Sequence, residues 1–158
     1  MNQKISGKTL DVSVNGRQIS STILTNALVE AGVLHGRALL EFLGIGLKKN
    51  TLQLQNVAHR RPSDIGIEQL YDGQRGLSQL DIPSALAAYS GESAEAELAL
   101  AVFLKASNKL LAHVTRHDLE EFAGNHLVIA TKAIPVLVHN ALYSKLGMEM
   151  PRTARMAG

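Results

Sequence analysis

The first regular pattern along the chain, LDVSV, alternates apolar and polar residues and stops at an Asn-Gly pair. Alternation with a period of two is typical of a strand with one buried face. An Asn-Gly pair favours a type I′ turn, because both central residues of that turn need positive φ. The pattern therefore predicts an N-terminal β-hairpin in which Val14 faces Arg17 and Val12 faces Ile19.

From about residue 21 the apolar positions recur at intervals of three and four, which is typical of a helix with one buried face. The pattern predicts a long first helix that runs to about Lys49 and has Asn50 as its C-terminal cap. Glycines weaken this helix, so we expect some of them to permit the close approach of another helix. They are at positions 32, 36, 44 and 46.

The remainder of the chain predicts two short and two long helices, at 65–71, 82–89, 92–114 and 119–146. Asp81 is expected to cap the second short helix, which would end at Gly91. A break is predicted at 115–117, after which Asp118 opens the last helix. Pro135 should kink that helix, and Gly147 should end it.

These elements predict an all-α fold, an up-down bundle of four or five helices with the hairpin at its N-terminus. The length of 158 residues fits a single domain over 1–158. We expect a hairpin arm at 1–20, a helical bundle at 21–147 and a flexible tail at 148–158. Because a lone hairpin with an apolar face is marginal in water, we expect it to pair with a second copy in a homodimer.

Composition excludes some chemistry. The chain has no Cys, so disulfides, thiolate metal sites and cysteine nucleophiles are excluded. We see no apolar signal segment and no run that approaches the ~18 apolar residues of a membrane span, so we expect a cytoplasmic protein without a membrane partner. The net charge of +2 permits a nucleic-acid partner without requiring one. No spacing of histidines and acids indicates a metal, and we expect no cofactor.

Basic and polar residues gather in NKLLAHVTRH, residues 108–117, at the end of the predicted helix 92–114. On a helical wheel measured from Leu100, the apolar stripe spans roughly 280° to 40°. A basic ridge lies opposite it, at roughly 140° to 220°, and consists of Lys105, Lys109, His113 and Arg116. Asn108 and Thr115 flank the stripe. The ridge is either a solvated helix face or a phosphate-binding face with His113 as an acid–base group.

Two further groups of charged residues are either solvated surface or part of a phosphate-binding site. The loop after residue 56 carries His59, Arg60 and Arg61, which either extend a nucleic-acid surface or are solvated. Arg37 and Glu41 are spaced four residues apart, which predicts an ion pair on the helix surface.

NKLLAHVTRH, after one long helix and before another, resembles the HEPN superfamily of helical RNA-associated domains. It is similar to the branch that reads NK-x-x-AH-[LV]-T at this place. HGRALLEFLG, residues 35–44, is similar to the Ala-Arg-x-Leu-x-acid-Phe-Phe stretch of the first helix in that branch. The resemblance implies a bundle of four or five helices, usually a dimer, and RNA binding or metal-independent RNA cleavage in a toxin–antitoxin, defence or RNA-processing system.

The catalytic signature of that family is Arg, a polar residue, three or four further residues, and His. The His matches His113, whereas the Arg position falls on Ser107 or Asn108, so the arginine is missing. Lys109, or Arg37 from an antiparallel first helix, would have to supply its charge. The catalytic candidates are therefore His113, Lys109 and Arg37. The candidates for nucleic-acid binding are Lys105, Lys109, Asn108, Thr115, Arg116, Arg60 and Arg61.

Three functions stay open on the sequence. One is a HEPN-like dimer that binds RNA or another phosphate-rich ligand, with or without endoribonuclease activity. Another is a non-catalytic protein–protein interaction module. A DNA-binding regulator is a third, but it would require a short basic recognition helix, whereas the basic helix here is long and central.

Overall fold

The computed structural model describes residues 12–19, 21–112 and 125–151. This part of the chain is mostly helical, as predicted. The α-helices are α1 (Ser21–Phe42), α2 (Ile82–Ala87), α3 (Ser93–Ala112) and α4 (Asn125–Val138). Two antiparallel pairs of strands accompany them: β1 (Val12–Val14) with β2 (Arg17–Ile19), and β3 (Ile45–Leu47) with β4 (Leu54–Asn56).

The N-terminal hairpin has the predicted register, with Val12 opposite Ile19 and Val14 opposite Arg17. Asn15 and Gly16 have φ values of 52° and 75°, which is the left-handed pair that a type I′ turn requires. The turn chemistry alone therefore determined this element correctly.

The first helix is shorter than predicted. It ends at Phe42 rather than near Lys49, and the segment after it forms β3. The carbonyl groups of Leu43 and Gly44 accept hydrogen bonds from the amides of Leu80 and Val57, at 2.9 Å each, so they are not available to a further helical turn. Gly44 also has φ of 90°, the left-handed conformation in which a glycine commonly ends a helix. The prediction was wrong because it followed the apolar pattern past this glycine, and because that pattern does not show the distant partners.

The second sheet was not predicted either. It makes the fold mostly helical rather than all-α. Asn50, with φ of 60°, lies in the turn between β3 and β4 instead of capping a helix. Asn56 then anchors β4, because its side-chain amide donates to the carbonyl of Leu80 at 2.9 Å.

The two short helices are reduced in length. The first is a single 3-10 turn, Ile67–Gln69. The second, α2, ends at Ala87, four residues before Gly91. Its predicted cap is confirmed, since the Asp81 carboxylate accepts from the Ser84 amide at 2.9 Å. This hydrogen bond, together with one from the Ser84 hydroxyl, lowers the pKa of Asp81.

The helix α3 lies at the centre of the molecule and packs against α1, α2, α4 and the β3–β4 sheet. Its middle is buried on every side, including Ala101 and Val102. On the helical wheel measured from Leu100, these two residues lie at roughly 100° and 200°, on the side predicted to face solvent. Lys105 lies between them and is half-buried. The prediction that this side of the helix faces solvent was therefore wrong at Lys105.

One of the four glycines permits a close crossing of helices, as expected. A Cβ at Gly36 would lie 2.6 Å from Cζ of Phe103 and 3.2 Å from Cδ1 of Ile134. Because Gly36 lacks a side chain, α1 can approach both α3 and α4.

The last helix contains Pro135 and passes into one π-helical turn, His139–Tyr143. Gly147 ends it as predicted, with φ of 64°. The amide of Met148 donates to the carbonyl of Tyr143 at 2.9 Å, and that of Gly147 to Ser144 at 3.4 Å, which is the Schellman pattern. The predicted break at 115–117 and the Asp118 cap lie outside the described residues.

Candidate functional site

The predicted site residues fall into two groups. His113, Thr115 and Arg116 lie outside the described residues, and for Lys109 only the backbone, in α3, is described. The prediction of catalysis by His113 with Lys109 therefore stays a prediction. The other candidates have defined positions.

Several of those candidates surround one cleft of about 720 Å³ between α1, α3, the β3–β4 sheet and the loop that follows β4. Arg37 comes from α1, Arg60 and Arg61 from the loop, and Asn108 from α3. The cleft also contains Glu41, which was predicted only as the ion-pair partner of Arg37, and His59, which was predicted with Arg60 and Arg61 as either nucleic-acid surface or solvated loop. Lys105, half-buried on α3, is not among the residues that line the cleft.

Antiparallel packing of α1 and α3 brings Arg37 to this place. Gly36 lies against Phe103. Further along the chain, Leu47 pairs with Leu54 across the β3–β4 sheet. The amide of Leu54 donates a hydrogen bond to the Glu97 carboxylate at 3.2 Å. Residue numbers therefore increase along α1 and β3 in the direction in which they decrease along α3. The helices α1 and α3 are therefore antiparallel, which is one of the two conditions under which Arg37 was expected to act beside His113. The other condition, closeness of Arg37 to His113, lies outside the described residues.

The two positions that could replace the missing family arginine differ in environment. Ser107 is fully buried, and its hydroxyl donates to the carbonyl of Leu104 at 2.7 Å. Asn108 is exposed and lines the cleft. Only Asn108 of this pair can therefore touch a ligand there.

The predicted ion pair of α1 is confirmed. Nε of Arg37 donates to Oε1 of Glu41 at 2.8 Å, and the two side chains are 26% and 46% exposed. A partly solvated pair of this kind stabilises a helix by only about 0.3–0.5 kcal/mol. The pair uses one of the five N–H donors of a guanidinium group, so it leaves Arg37 with donors for a ligand.

Arg60 is tied into the structure. It donates to the Glu68 carboxylate at 2.6 Å and to the Phe42 carbonyl at 3.1 Å, and its side chain is 13% exposed. Burial of Glu68 opposes its ionisation, but hydrogen bonds from Arg60 and Gln79 outweigh this and leave the pKa of Glu68 below its ordinary value. Arg60 therefore fastens the loop to the end of α1.

A Cβ at Gly66 would overlap the ends of the Arg60 and Glu68 side chains, so the two side chains could not keep this ion pair without shifting. The sequence pattern predicts Arg60 and Arg61 alike as binding residues, and it gives no signal for the bond from Arg60 to Glu68, eight residues further along the chain.

Arg61 differs from its neighbour. It opens a turn in which the Asp64 amide donates to the Arg61 carbonyl at 2.9 Å, and Pro62 occupies the second position of the turn, where proline is favoured. Asp64 closes the turn by accepting from the Arg61 amide at 3.1 Å. The guanidinium is exposed and has no ion pair with any described residue. Arg61 is therefore available to an anionic ligand.

The charge of the cleft is modest. Three guanidinium groups, of Arg37, Arg60 and Arg61, face two carboxylates, of Glu41 and Asp64. The sum over these five groups is +1, and it falls to 0 when Glu68, which is paired with Arg60, is included. The cleft therefore suits one or two phosphate groups rather than a long polyanion. Over the described ranges, no three His, Asp or Glu side chains are grouped as metal ligands would be.

A second cavity has different chemistry. It has a volume of about 390 Å³, lies between α2, α3 and α4, and has a mainly apolar lining in which Lys132 is the one charged residue. It offers neither a carboxylate nor an imidazole among its described lining residues.

Comparison with known proteins identifies no relative: no family model, no curated protein and no solved structure matches the chain. Across the residues that the structure describes, no helix is long and apolar enough to cross a membrane. The function must therefore be inferred from the cleft.

Proposed function

We propose that this chain is a HEPN-like helical-bundle domain that binds RNA, or another phosphate-rich ligand, in the cleft formed by α1, α3 and the loop after β4. The observation that supports this proposal is the meeting of Arg37, Arg61 and Asn108, from three separate segments, around one cavity. A guanidinium group matches the geometry of a phosphate and can donate two hydrogen bonds to it.

The residues have different tasks in this proposal. Arg61 and Arg37 bind phosphate oxygens, and Asn108 donates or accepts at a base or sugar. Arg60 holds the loop in place through Glu68 and Phe42. Lys109, Thr115 and Arg116 stay predicted contacts for a longer RNA, whereas Lys105 is half-buried on α3 and does not line the cleft.

The experiment is a titration of fluorescent single-stranded RNA, followed by anisotropy between 50 and 200 mM salt. Arg61→Ala should weaken binding and reduce the slope of log K against log salt by about 0.7. Arg75→Ala is the matched control, because Arg75 is 86% exposed and lies outside the cleft. The proposal fails if the wild type shows no salt-sensitive binding, or if the two variants bind alike.

Cleavage of the bound RNA is a separate matter. The resemblance assigns the proton transfer to His113, with Lys109 or Arg37 beside the phosphate. On that assignment His113→Ala loses about 10²–10⁴-fold in rate and still binds RNA. The cleft residues offer a different acid–base set, which includes Glu41 and His59.

The second candidate function, a protein–protein interaction module, is supported by the outer face of α1. Leu28 is 64% exposed, and Leu34 and Leu39 are each 38% exposed. Ala27, Ala31 and Ala38 lie on the same face. A helix that is apolar on both sides is normally buried on both sides. We propose that this face pairs with a second copy in a homodimer.

Light scattering tests this proposal, since one chain has a mass of 17.0 kDa. We expect twice that mass at tens of micromolar, and the mass of a single chain for Leu28→Glu. The control is Leu52→Glu, an exposed apolar position in the turn between β3 and β4. A wild type of about 17 kDa would refute the dimer.

A further inference from the structure

The cleft contains a carboxylate and an imidazole in addition to its arginines. Glu41 comes from α1 and His59 from the loop after β4, and both line the same cavity as Arg37 and Arg61. The Glu41 side chain is 46% exposed. His59 is exposed and has no hydrogen bond to any described residue. Both groups are therefore accessible to a ligand in the cleft.

We infer that the cleft is an acid–base site that cleaves RNA without a metal, in which Glu41 is the general base and His59 the general acid. This inference rests on the proposed function, because RNA must first bind in the cleft. It differs from the assignment to His113, since all four groups it requires lie in the described structure.

The base has a defined position. Oε1 of Glu41 accepts from Nε of Arg37 at 2.8 Å, and this hydrogen bond fixes the orientation of the carboxyl group. The second oxygen, Oε2, is available to accept a proton. An imidazole carries or releases a proton near neutral pH, which suits His59 to donate to a leaving alkoxide. The cavity, of about 720 Å³, lies within the range of pockets that hold small ligands, about 300–1,000 Å³.

The reaction is a transesterification in which one bond forms and one breaks. Glu41 removes the proton of a ribose 2′-hydroxyl while the 2′-oxygen bonds to the adjacent phosphorus. The bond from phosphorus to the 5′-oxygen breaks, and protonated His59 gives its proton to that oxygen. Arg37 and Arg61 donate to the two non-bridging oxygens, where negative charge increases. The products are a 2′,3′-cyclic phosphate and a 5′-hydroxyl, and water returns the proton from Glu41 to His59.

The chemistry predicts the substrate. Because the nucleophile is the 2′-hydroxyl, the site should cleave single-stranded RNA and should bind, but not cleave, the same sequence with 2′-O-methyl groups. The modest charge of the cleft also favours a few nucleotides around one phosphate over a long duplex.

The experiment uses the full chain, 5′-labelled RNA and EDTA, with the products separated on a denaturing gel. His59→Ala and Glu41→Gln should each lose about 10²–10⁴-fold in cleavage rate. Both should keep the wild-type affinity for the 2′-O-methyl oligonucleotide within a few-fold. His139→Ala and Glu149→Gln are matched controls, because both residues are exposed and lie outside the cleft. A circular dichroism melt verifies that each variant folds.

The outcomes separate the two proposals. Binding without cleavage by the wild type overturns this inference and leaves RNA binding intact. Loss of cleavage in His113→Ala, with full cleavage in His59→Ala, returns the proton transfer to His113 and also overturns it. No binding of the 2′-O-methyl oligonucleotide refutes the proposed function itself. A bell-shaped dependence of rate on pH that loses its acidic limb in Glu41→Gln supports the two assigned roles.

Discussion

Replacing Gly36 with alanine tests the packing at the centre of the molecule. The new Cβ would lie 2.6 Å from Cζ of Phe103, about 1 Å closer than two carbon atoms normally approach. Phe103 is 1% exposed and Ile134 is 4% exposed. The end of the aromatic ring therefore has no solvent to move into, and α1 must shift away from α3 and α4.

Two effects of opposite sign determine the result. An alanine in the interior of a helix is favoured over a glycine by about 1 kcal/mol. Overpacking a core by one methyl group costs about 1–3 kcal/mol. Gly36→Ala should therefore change the free energy of unfolding by between about 0 and −2 kcal/mol. Gly32→Ala, on the same helix with nothing within 4 Å of the new Cβ, should gain about 1 kcal/mol.

Urea denaturation followed by circular dichroism measures both variants, and the difference between them isolates the packing cost of about 1–3 kcal/mol. Two protein concentrations are needed, because a dimer contact at the exposed face of α1 would make the stability depend on concentration. In a Phe103→Leu background the cost of Gly36→Ala should shrink, since the end of the ring is gone. Equal stability of Gly36→Ala and Gly32→Ala would show that Phe103 and Ile134 do not resist a side chain at position 36.

Three further changes test the loop and the last helix. Because its pKa is lowered by folding, Glu68 stabilises the protein above its ordinary pKa of 4.5, and this contribution disappears as the pH falls through the lower folded value. Glu68→Gln should therefore lower the free energy of unfolding by less than about 1 kcal/mol at pH 7 and leave it unchanged at pH 2, as measured by urea titration. A loss of stability that is the same at both pH values would contradict this. Gly66→Ala should break the Arg60–Glu68 pair and weaken RNA binding at least as much as Arg61→Ala does; unchanged anisotropy titrations would show that the loop needs no such anchor. Gly147→Ala should cost about 1–2 kcal/mol through its left-handed backbone alone, since no atom lies within 4 Å of the new Cβ. Gly147→Asn should cost less, and equal urea midpoints for wild type and both variants would exclude a backbone cost.

The parts of the fold that could be predicted depend on interactions between near neighbours. Asn15 and Gly16 determine the hairpin turn, Asp81 caps α2 through an amide three residues away, and Gly147 closes the last helix through carbonyl groups within five residues. Steric limits on φ and short-range hydrogen bonds act at this distance, so a short stretch of sequence contains all that is needed.

The burial of α3 was missed because distant segments decide it. The end of α1 was missed because the left-handed Gly44 and distant segments together stop the helix there. The carbonyl groups of Leu43 and Gly44 bond amides at positions 80 and 57. These bonds end the helix where its own apolar pattern would continue it. In the same way, Lys105 is half-buried because α3 has packed neighbours on all sides, which a helical wheel of one segment does not show.

The candidate site shows the same division. The residue types alone predicted which side chains could bind phosphate, with Arg37, Arg61 and Asn108 as separate candidates. Their meeting in one cleft with Glu41 and His59, and the bond of Arg60 to Glu68, follow from the packing of distant segments. The physical reason is that this cleft results from the crossing of α1 and α3 at Gly36 and from the loop fastened to the end of α1. Both contacts join residues that are far apart in the chain.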